Sequence, residues 1–341
     1  MHLGDAMPSA ENNNASPPLL EVKNLSVSFA TDAGEALAVN DVSFHVAHGE
    51  TFCLVGESGC GKSATAMSIM RLLPDPPGKI TAGEILFEGQ NLAALPEKTL
   101  ESIRGSRIGM VFQEPMTALN PVFRIGDQIA ESLRTHRGLS RTAALEKTIQ
   151  LLADVGIAEA SRRVRDFPHQ MSGGMRQRVM IAMAIACEPT LVIADEPTTA
   201  LDVTIQKQVL DLLTSLTTRR NKALVLITHD LGVAYQTADR VSVMYSGSIV
   251  ELAPARDLFN NPHHPYTRGL MLSRPRLDPA GRHTRLPSIP GTVPSPLARP
   301  TGCAFRDRCP QAHERCITPP PFAELAPGRF CRCWLAVSAG T

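Results

Sequence analysis

The octapeptide Gly56-Glu57-Ser58-Gly59-Cys60-Gly61-Lys62-Ser63 constrains this 341-residue chain more than any other feature. It fits the phosphate-binding pattern GxxxxGK[ST], and the pattern has the context it needs. A short apolar run, Phe52 to Val55, precedes it, and a predicted helix over Lys62 to Leu73 follows, with Ala64 in the first turn. Glycines let the backbone curl so that successive N–H groups point at phosphate oxygens, and the helix N-terminus adds positive potential. Lys62 can then reach the β and γ phosphates, and Ser63 can ligate Mg²⁺. A strand, a glycine-rich loop and a helix in succession open an α/β unit.

The rest of the chain supports that class. Leu25, Val27 and Phe29 alternate with serines, and Val42, Phe44 and Val46 alternate with Ser43 and His45, which predicts antiparallel strands with one buried face. Helices are predicted over Ile125 to His136 and Ser140 to Val155, the latter placing Leu145, Ile149 and Leu152 on one face and ending at Gly156. Further on, helices over 174–187 and 203–217 alternate with the apolar strands Leu191 to Ala194 and Ala223 to Thr228. Continuous apolar strands between helices predict a parallel sheet covered on both faces.

Composition narrows the function. With 34 basic against 33 acidic residues and no long basic block, nothing predicts a nucleic-acid partner or a charged membrane surface. The longest apolar stretch, Val179 to Cys187, falls well short of the roughly 18 residues that a spanning helix needs. Residues 1–18 lack the basic start and apolar core of a secretory signal, and their Asn, Ser and Pro content predicts a disordered tail.

Leu191-Val192-Ile193-Ala194-Asp195-Glu196 is an apolar strand that ends in two carboxylates. Following a phosphate loop, Asp195 is suited to hold Mg²⁺ through water, and Glu196 to polarise a water against the γ-phosphate. Met171-Ser172-Gly173-Gly174-Met175 opens a helix and taken alone is an N-cap with a flexible lead-in. The order of motifs decides between these bland and sharp readings. The P-loop is followed by Gln113 in Val-Phe-Gln-Glu-Pro, then Ser-Gly-Gly, Asp195-Glu196, Ala200-Leu201-Asp202, and His229 in Ile-Thr-His-Asp. Over residues 20–255 the chain resembles the nucleotide-binding subunits of ABC transporters, departing from the commonest signature at Met171 and Met175.

The resemblance implies a P-loop cassette with a parallel-sheet core, an antiparallel β subdomain and a helical subdomain over about 114–175. It implies that Phe29 stacks on adenine, although an alternating strand residue can equally be core. It implies that Gln113 senses Mg²⁺ and the attacking water, that Asp202 sits at a dimer seam, and that His229 contacts the γ-phosphate. Ser172, Gly173 and Gly174 would cover ATP held by the P-loop of a second cassette, a copy or a homologue. Two transmembrane permeases and an extracytoplasmic solute-binding protein would complete an importer, with this chain peripheral on the cytoplasmic face of the inner membrane.

After about residue 258 prolines become frequent, and five of the eight cysteines crowd the C-terminus, which marks residues 259–341 as a separate, loop-rich extension after a cassette over 19–258. Asn261-Pro262-His263-His264-Pro265-Tyr266-Thr267-Arg268 is similar to the segment that follows the cassette in dipeptide and oligopeptide importers of the peptide/nickel group. In the cytoplasm, Cys303, Cys309, Cys316, Cys331 and Cys333 suit a metal site better than disulfides. Their spacing leaves zinc and [4Fe–4S] both open. The resemblance implies a structural [4Fe–4S] cluster on Cys303, Cys309, Cys316 and Cys333, with Cys331 the alternative fourth ligand. Arg306, Arg308, Arg315, Arg329 and Arg332 would offset its charge. Peptide import is the reading, with nickel or glutathione import, or a soluble ABC ATPase of DNA repair or translation, as alternatives.

Overall fold

The computed structural model describes residues 17–199, 201–218, 221–273 and 287–338. Most of the expected N-terminal tail therefore lies outside the described residues, and so does Ala200. β1 (Leu20–Thr31) and β2 (Gly34–Val46) pair antiparallel, burying Leu25, Val27, Val42 and Val46 on one face. β3 (Thr51–Val55) leaves that sheet, and β4 (Gly78–Phe87) and β5 (Gln90–Asn91) return to it in the order β2-β1-β4-β5.

The second sheet is the larger. β6 (Ile108–Val111), β7 (Leu191–Asp195), β8 (Ala223–Thr228) and β9 (Arg240–Tyr245) run parallel with β3, in the order β9-β3-β8-β7-β6. Every residue of β3, β6, β7 and β8 is buried, as expected of strands covered on both faces. β10 (Ser248–Pro254) adds antiparallel to β9.

Helices Ile125–Arg137 and Arg141–Asp154 pack against Gly173–Ile185 to form the helical layer. Gly156 turns the chain at a φ of 80° after the second of them, with its N–H on the Ala153 carbonyl. The buried stripe of that helix is Ala144, Thr148, Leu151 and Leu152, whereas Leu145 is exposed. The expected face is therefore rotated. Thr148 is accommodated because its hydroxyl donates to the Ala144 carbonyl at 2.7 Å. The helix after the P-loop spans Lys62–Ile69 and stops short of Leu73, because Arg71 turns into the left-handed region.

The C-terminal extension does not stand apart. β11 (Ala323–Ala326) and β12 (Arg329–Cys331) continue the large sheet beyond β10, in the order β11-β12-β10. Tyr266 and Phe305 lie in the same hydrophobic core as Val55, Val241 and Tyr245. Proline-rich backbone gains its rigidity here from the cassette that it packs against.

Candidate functional site

Neighbouring parallel strands deliver the predicted residues to one edge. β3 runs into the phosphate loop, β8 into His229, β7 into Asp195 and Glu196, and β6 toward Gln113. Register aligns the ends: Val55 pairs with Thr228, Ile227 with Asp195, and Ala194 with Val111. Carboxyl ends of parallel strands are where open α/β sheets bind ligands.

In the loop, Gly61 adopts a φ of 105°, and a Cβ there would lie 2.5 Å from the Ala38 carbonyl oxygen. Only glycine fits that approach of β2. Lys62 is buried, and its ammonium donates to the carbonyls of Gly56 at 2.9 Å and Glu57 at 3.1 Å. Cys60 is buried behind the loop, with Sγ 3.9 Å from Lys62 Nζ. Ser58 and Gly59 are exposed at its tip. Ser63 Oγ donates to Asp195 Oδ1 at 3.0 Å. Burial pushes the Asp195 carboxyl up from its ordinary range and the Ser63 hydroxyl opposes that shift. A buried carboxylate beside a serine hydroxyl and a phosphate loop is a donor set suited to Mg²⁺.

Glu196 is the hub. One carboxylate oxygen lies 3.6 Å from Lys62 Nζ. The other accepts from Thr199 Oγ1 at 3.1 Å and Gln113 Nε2 at 3.4 Å, and lies 3.2 Å from His229 Nδ1. Its φ of 44° is unusual for a non-glycine residue, and its N–H donates to the Ile227 carbonyl at 3.0 Å. In this backbone conformation the carboxylate meets Lys62, Gln113, Thr199 and His229 beyond the strand ends. A fixed carboxylate with a histidine and an amide at the same oxygen can orient a water and take its proton.

The other predicted residues lie apart from this cluster. Ser172 caps helix Gly173–Ile185, accepting from the Met175 N–H at 3.3 Å, and both Ser172 and Gly173 are exposed. Gly174 faces Ile205, and Asp202 caps the following helix through the Ile205 N–H at 3.0 Å. Phe29 is half-buried on the antiparallel sheet, with its ring edge against Gly78.

Residues 39–199 match the ABC transporter family, and residues 250–316 match the oligopeptide/dipeptide transporter C-terminal region. The dipeptide transport ATP-binding protein DppD of Bacillus subtilis is 49% identical over 93% of this chain and 94% of its own length. The oligopeptide transport ATP-binding protein OppD of Salmonella typhimurium is 48% identical over 94% of each. The chain belongs to the ATP-binding subunits of ABC transporters, in the oligopeptide/dipeptide group. Among solved structures, the cassette MJ0796, as a post-hydrolysis dimer bound to ADP and Pi, superposes with a TM-score of 0.63 at 29% identity, covering 70% of this chain and 99% of that one. The ABC subunit described here is an ATPase. Its relatives lend no support to a role in DNA repair or translation, or to nickel or glutathione import.

The group's His-Pro-Tyr segment has a structural explanation in this ABC subunit that sequence reasoning missed. His264 caps helix Pro265–Leu272, its Nδ1 accepting from the Tyr266 N–H at 3.1 Å. The buried Glu251 carboxylate accepts the N–H groups of His263 at 2.7 Å and His264 at 2.9 Å. Tyr266, wholly buried, sends its hydroxyl to the Glu57 N–H at 3.0 Å, in the phosphate loop.

The tail cysteines lie close enough to act on one another, and Cys333 raises the Cys331 thiol as well as that of Cys303. Burial pushes the Cys303 thiol up to about 11, and Cys316, Cys333 and Cys309 push the same way. Cys331 lies on β12 opposite Glu251, and after burial that carboxylate is its strongest perturber. Among the described residues no group of three or more His, Cys, Asp or Glu side chains could hold a metal ion. The five arginines expected to balance thiolate charge each hold a partner of their own. Arg308 pairs with Glu57, Arg332 with Asp41 and Arg306 with Asp307. Arg329 donates to the Asn261 carbonyl, and Arg315 lies over Trp334.

Proposed function

We propose that this ATPase energises peptide import, with Glu196 as the general base and His229 and Gln113 fixing it against the attacking water. The observation that carries the reading is the convergence of Gln113, Thr199 and His229 on one Glu196 oxygen beside Lys62. The phosphate-loop N–H groups and Lys62 would bind the β and γ phosphates, and Ser63, Asp195 and Gln113 would hold Mg²⁺, which when bound would supply positive charge against the phosphate oxygens. Phe29 is the proposed stacking partner of the adenine ring.

Because Ser172 and Gly173 are exposed on the helical layer, they are free to cover ATP on a second cassette, with Asp202 at the seam. Hydrolysis is then a property of a pair, and closure of the pair drives two permeases supplied by an external solute-binding protein. No helix among the described residues is long and apolar enough to cross a membrane, which fits a peripheral subunit on the cytoplasmic face of the inner membrane. Peptide is favoured as solute by the shared C-terminal region and by relatives named for dipeptide and oligopeptide transport.

Cys303, Cys309, Cys316 and Cys333 are the proposed ligands of a structural [4Fe–4S] cluster. Support comes from the way Cys316, Cys333 and Cys309 all raise the Cys303 thiol and from the close approach of two tail segments, where a Cβ on Gly302 would lie 2.2 Å from the Cys316 carbonyl oxygen. A single zinc ion, with bonds of about 2.3 Å, would need the sulfurs drawn tightly together. A cluster accepts wider spacing.

The test is ATP hydrolysis by the complete complex in proteoliposomes. Stimulation by a peptide-loaded binding protein is expected, and its absence across di- to oligopeptides, with stimulation by another solute, would reject peptide.

A further inference from the structure

Glu57 is an odd occupant of a phosphate loop, since its carboxylate adds negative charge beside a polyanion. The structure answers that charge from the far end of the chain. Arg308 takes the carboxylate in a two-pronged pair, Nη1 to Oε2 at 2.7 Å and Nη2 to Oε1 at 3.0 Å. The arginine side chain is only 6% exposed, and Nε donates to the Pro290 carbonyl at 2.8 Å. Its guanidinium carbon stands 5.7 Å from the centre of the Tyr245 ring, and Tyr245 packs against Tyr266 and Phe305 with centroids 4.6 and 5.2 Å away. A planar fork held on aromatic rings is preorganised for a carboxylate.

Every polar group of Glu57 is therefore held. Tyr266 Oη accepts its N–H, Lys62 accepts nothing but donates to its carbonyl, and Arg308 neutralises its side chain.

The geometry points to Arg308 and Tyr266 as positioning residues of the nucleotide site: the importer-type tail clamps the second residue of the phosphate loop and cancels its charge. ATP then meets a loop already in its binding shape, without repulsion from Glu57. The proposal rests on the phosphate-loop assignment but goes beyond it, because it makes Tyr266 and Arg308 part of the ATP site and explains why an acid is tolerated there.

The test is equilibrium binding of a fluorescent ATP analogue to the full chain, with steady-state hydrolysis alongside. Arg308→Gln, which leaves Glu57 uncompensated, is expected to raise the Kd about tenfold and KM more than kcat. The double variant Glu57→Gln/Arg308→Gln removes the charge as well as its partner and is expected to return to within about threefold of the parent. Tyr266→Phe deletes one oxygen and is expected to weaken binding by two- to threefold. Arg308→Lys, which keeps the charge, is expected to fall between. A merely structural role for Arg308 would leave the double variant no better than the single, and that result would overturn the proposal, as would parental affinity in Arg308→Gln. Lys62→Ala should abolish binding throughout; retained binding there would reject the phosphate-loop assignment itself.

Discussion

Glu196 Oε2 lies 3.2 Å from His229 Nδ1, across the gap between adjacent parallel strands. The two side chains leave strand ends whose register is fixed by the pairing of Asp195 with Ile227, so the contact is set by the sheet. Glu196→Gln keeps the size and loses the base. Phosphate release is expected to fall by about 100-fold or more while ATP binding persists. Phosphate release at the parental rate would remove Glu196 from the chemistry.

Asp195 is buried, and its hydrogen bond from Ser63 is the contact that Mg²⁺ would share. In Asp195→Asn the Mg²⁺ concentration for half-maximal hydrolysis is expected to rise by ~10- to 100-fold, as for outer-sphere partners generally. Titration of activity with Mg²⁺ checks this, and an unchanged midpoint rejects the assignment.

Gly61 has no room for a side chain. Gly61→Ala meets the Ala38 carbonyl at a backbone conformation that L-residues rarely adopt, and is expected to cost ~2 kcal/mol or more and to suppress nucleotide binding. Denaturant unfolding and nucleotide titration measure the two effects separately.

Burial holds the His264 ring neutral, with its pKa lowered to about 3, and nearby Arg268 adds to the shift. The unfolded chain takes up a proton near pH 6.5 and the folded chain does not, so stability is fully present above pH 6.5 and is lost progressively between 6.5 and 3. Between pH 7 and pH 5 this one residue is expected to remove ~2 kcal/mol. His264→Asn, which can still cap the helix, should flatten that slope. Equal pH slopes of the melting temperature in the two proteins would contradict the expectation.

Cys331 and Cys333 are separated by one residue and face different surroundings. On the proposed cluster, Cys333→Ser would lack the iron and visible absorbance that the parent is expected to show, and Cys331→Ser would keep both while losing stability. Iron, acid-labile sulfide and zinc per chain are the measurements, and a colourless protein with one zinc per chain would replace the cluster with an ion.

The motifs of the ATP site were legible because each is local. Glycines, a lysine and a serine must be consecutive to wrap a phosphate, and the strand before and the helix after leave their own periodicities, so β3, β7 and β8 could be read from residues 52–55, 191–194 and 223–228. The rotated face of helix Arg141–Asp154 was misread because a threonine that bonds its own backbone can be buried where a pattern expects leucine.

From its sequence alone this protein is a P-loop ATPase of the ABC type with an importer tail, because those signals lie in runs of a few residues. Tertiary structure alone decided how the tail is used. Tyr266 and Arg308 reach Glu57 across 209 and 251 residues, and the tail extends the cassette's own sheet. A guanidinium pairs with whichever carboxylate the fold brings to it, and Arg306, Arg308 and Arg332, which read as counter-charges for thiolates, found Asp307, Glu57 and Asp41 instead.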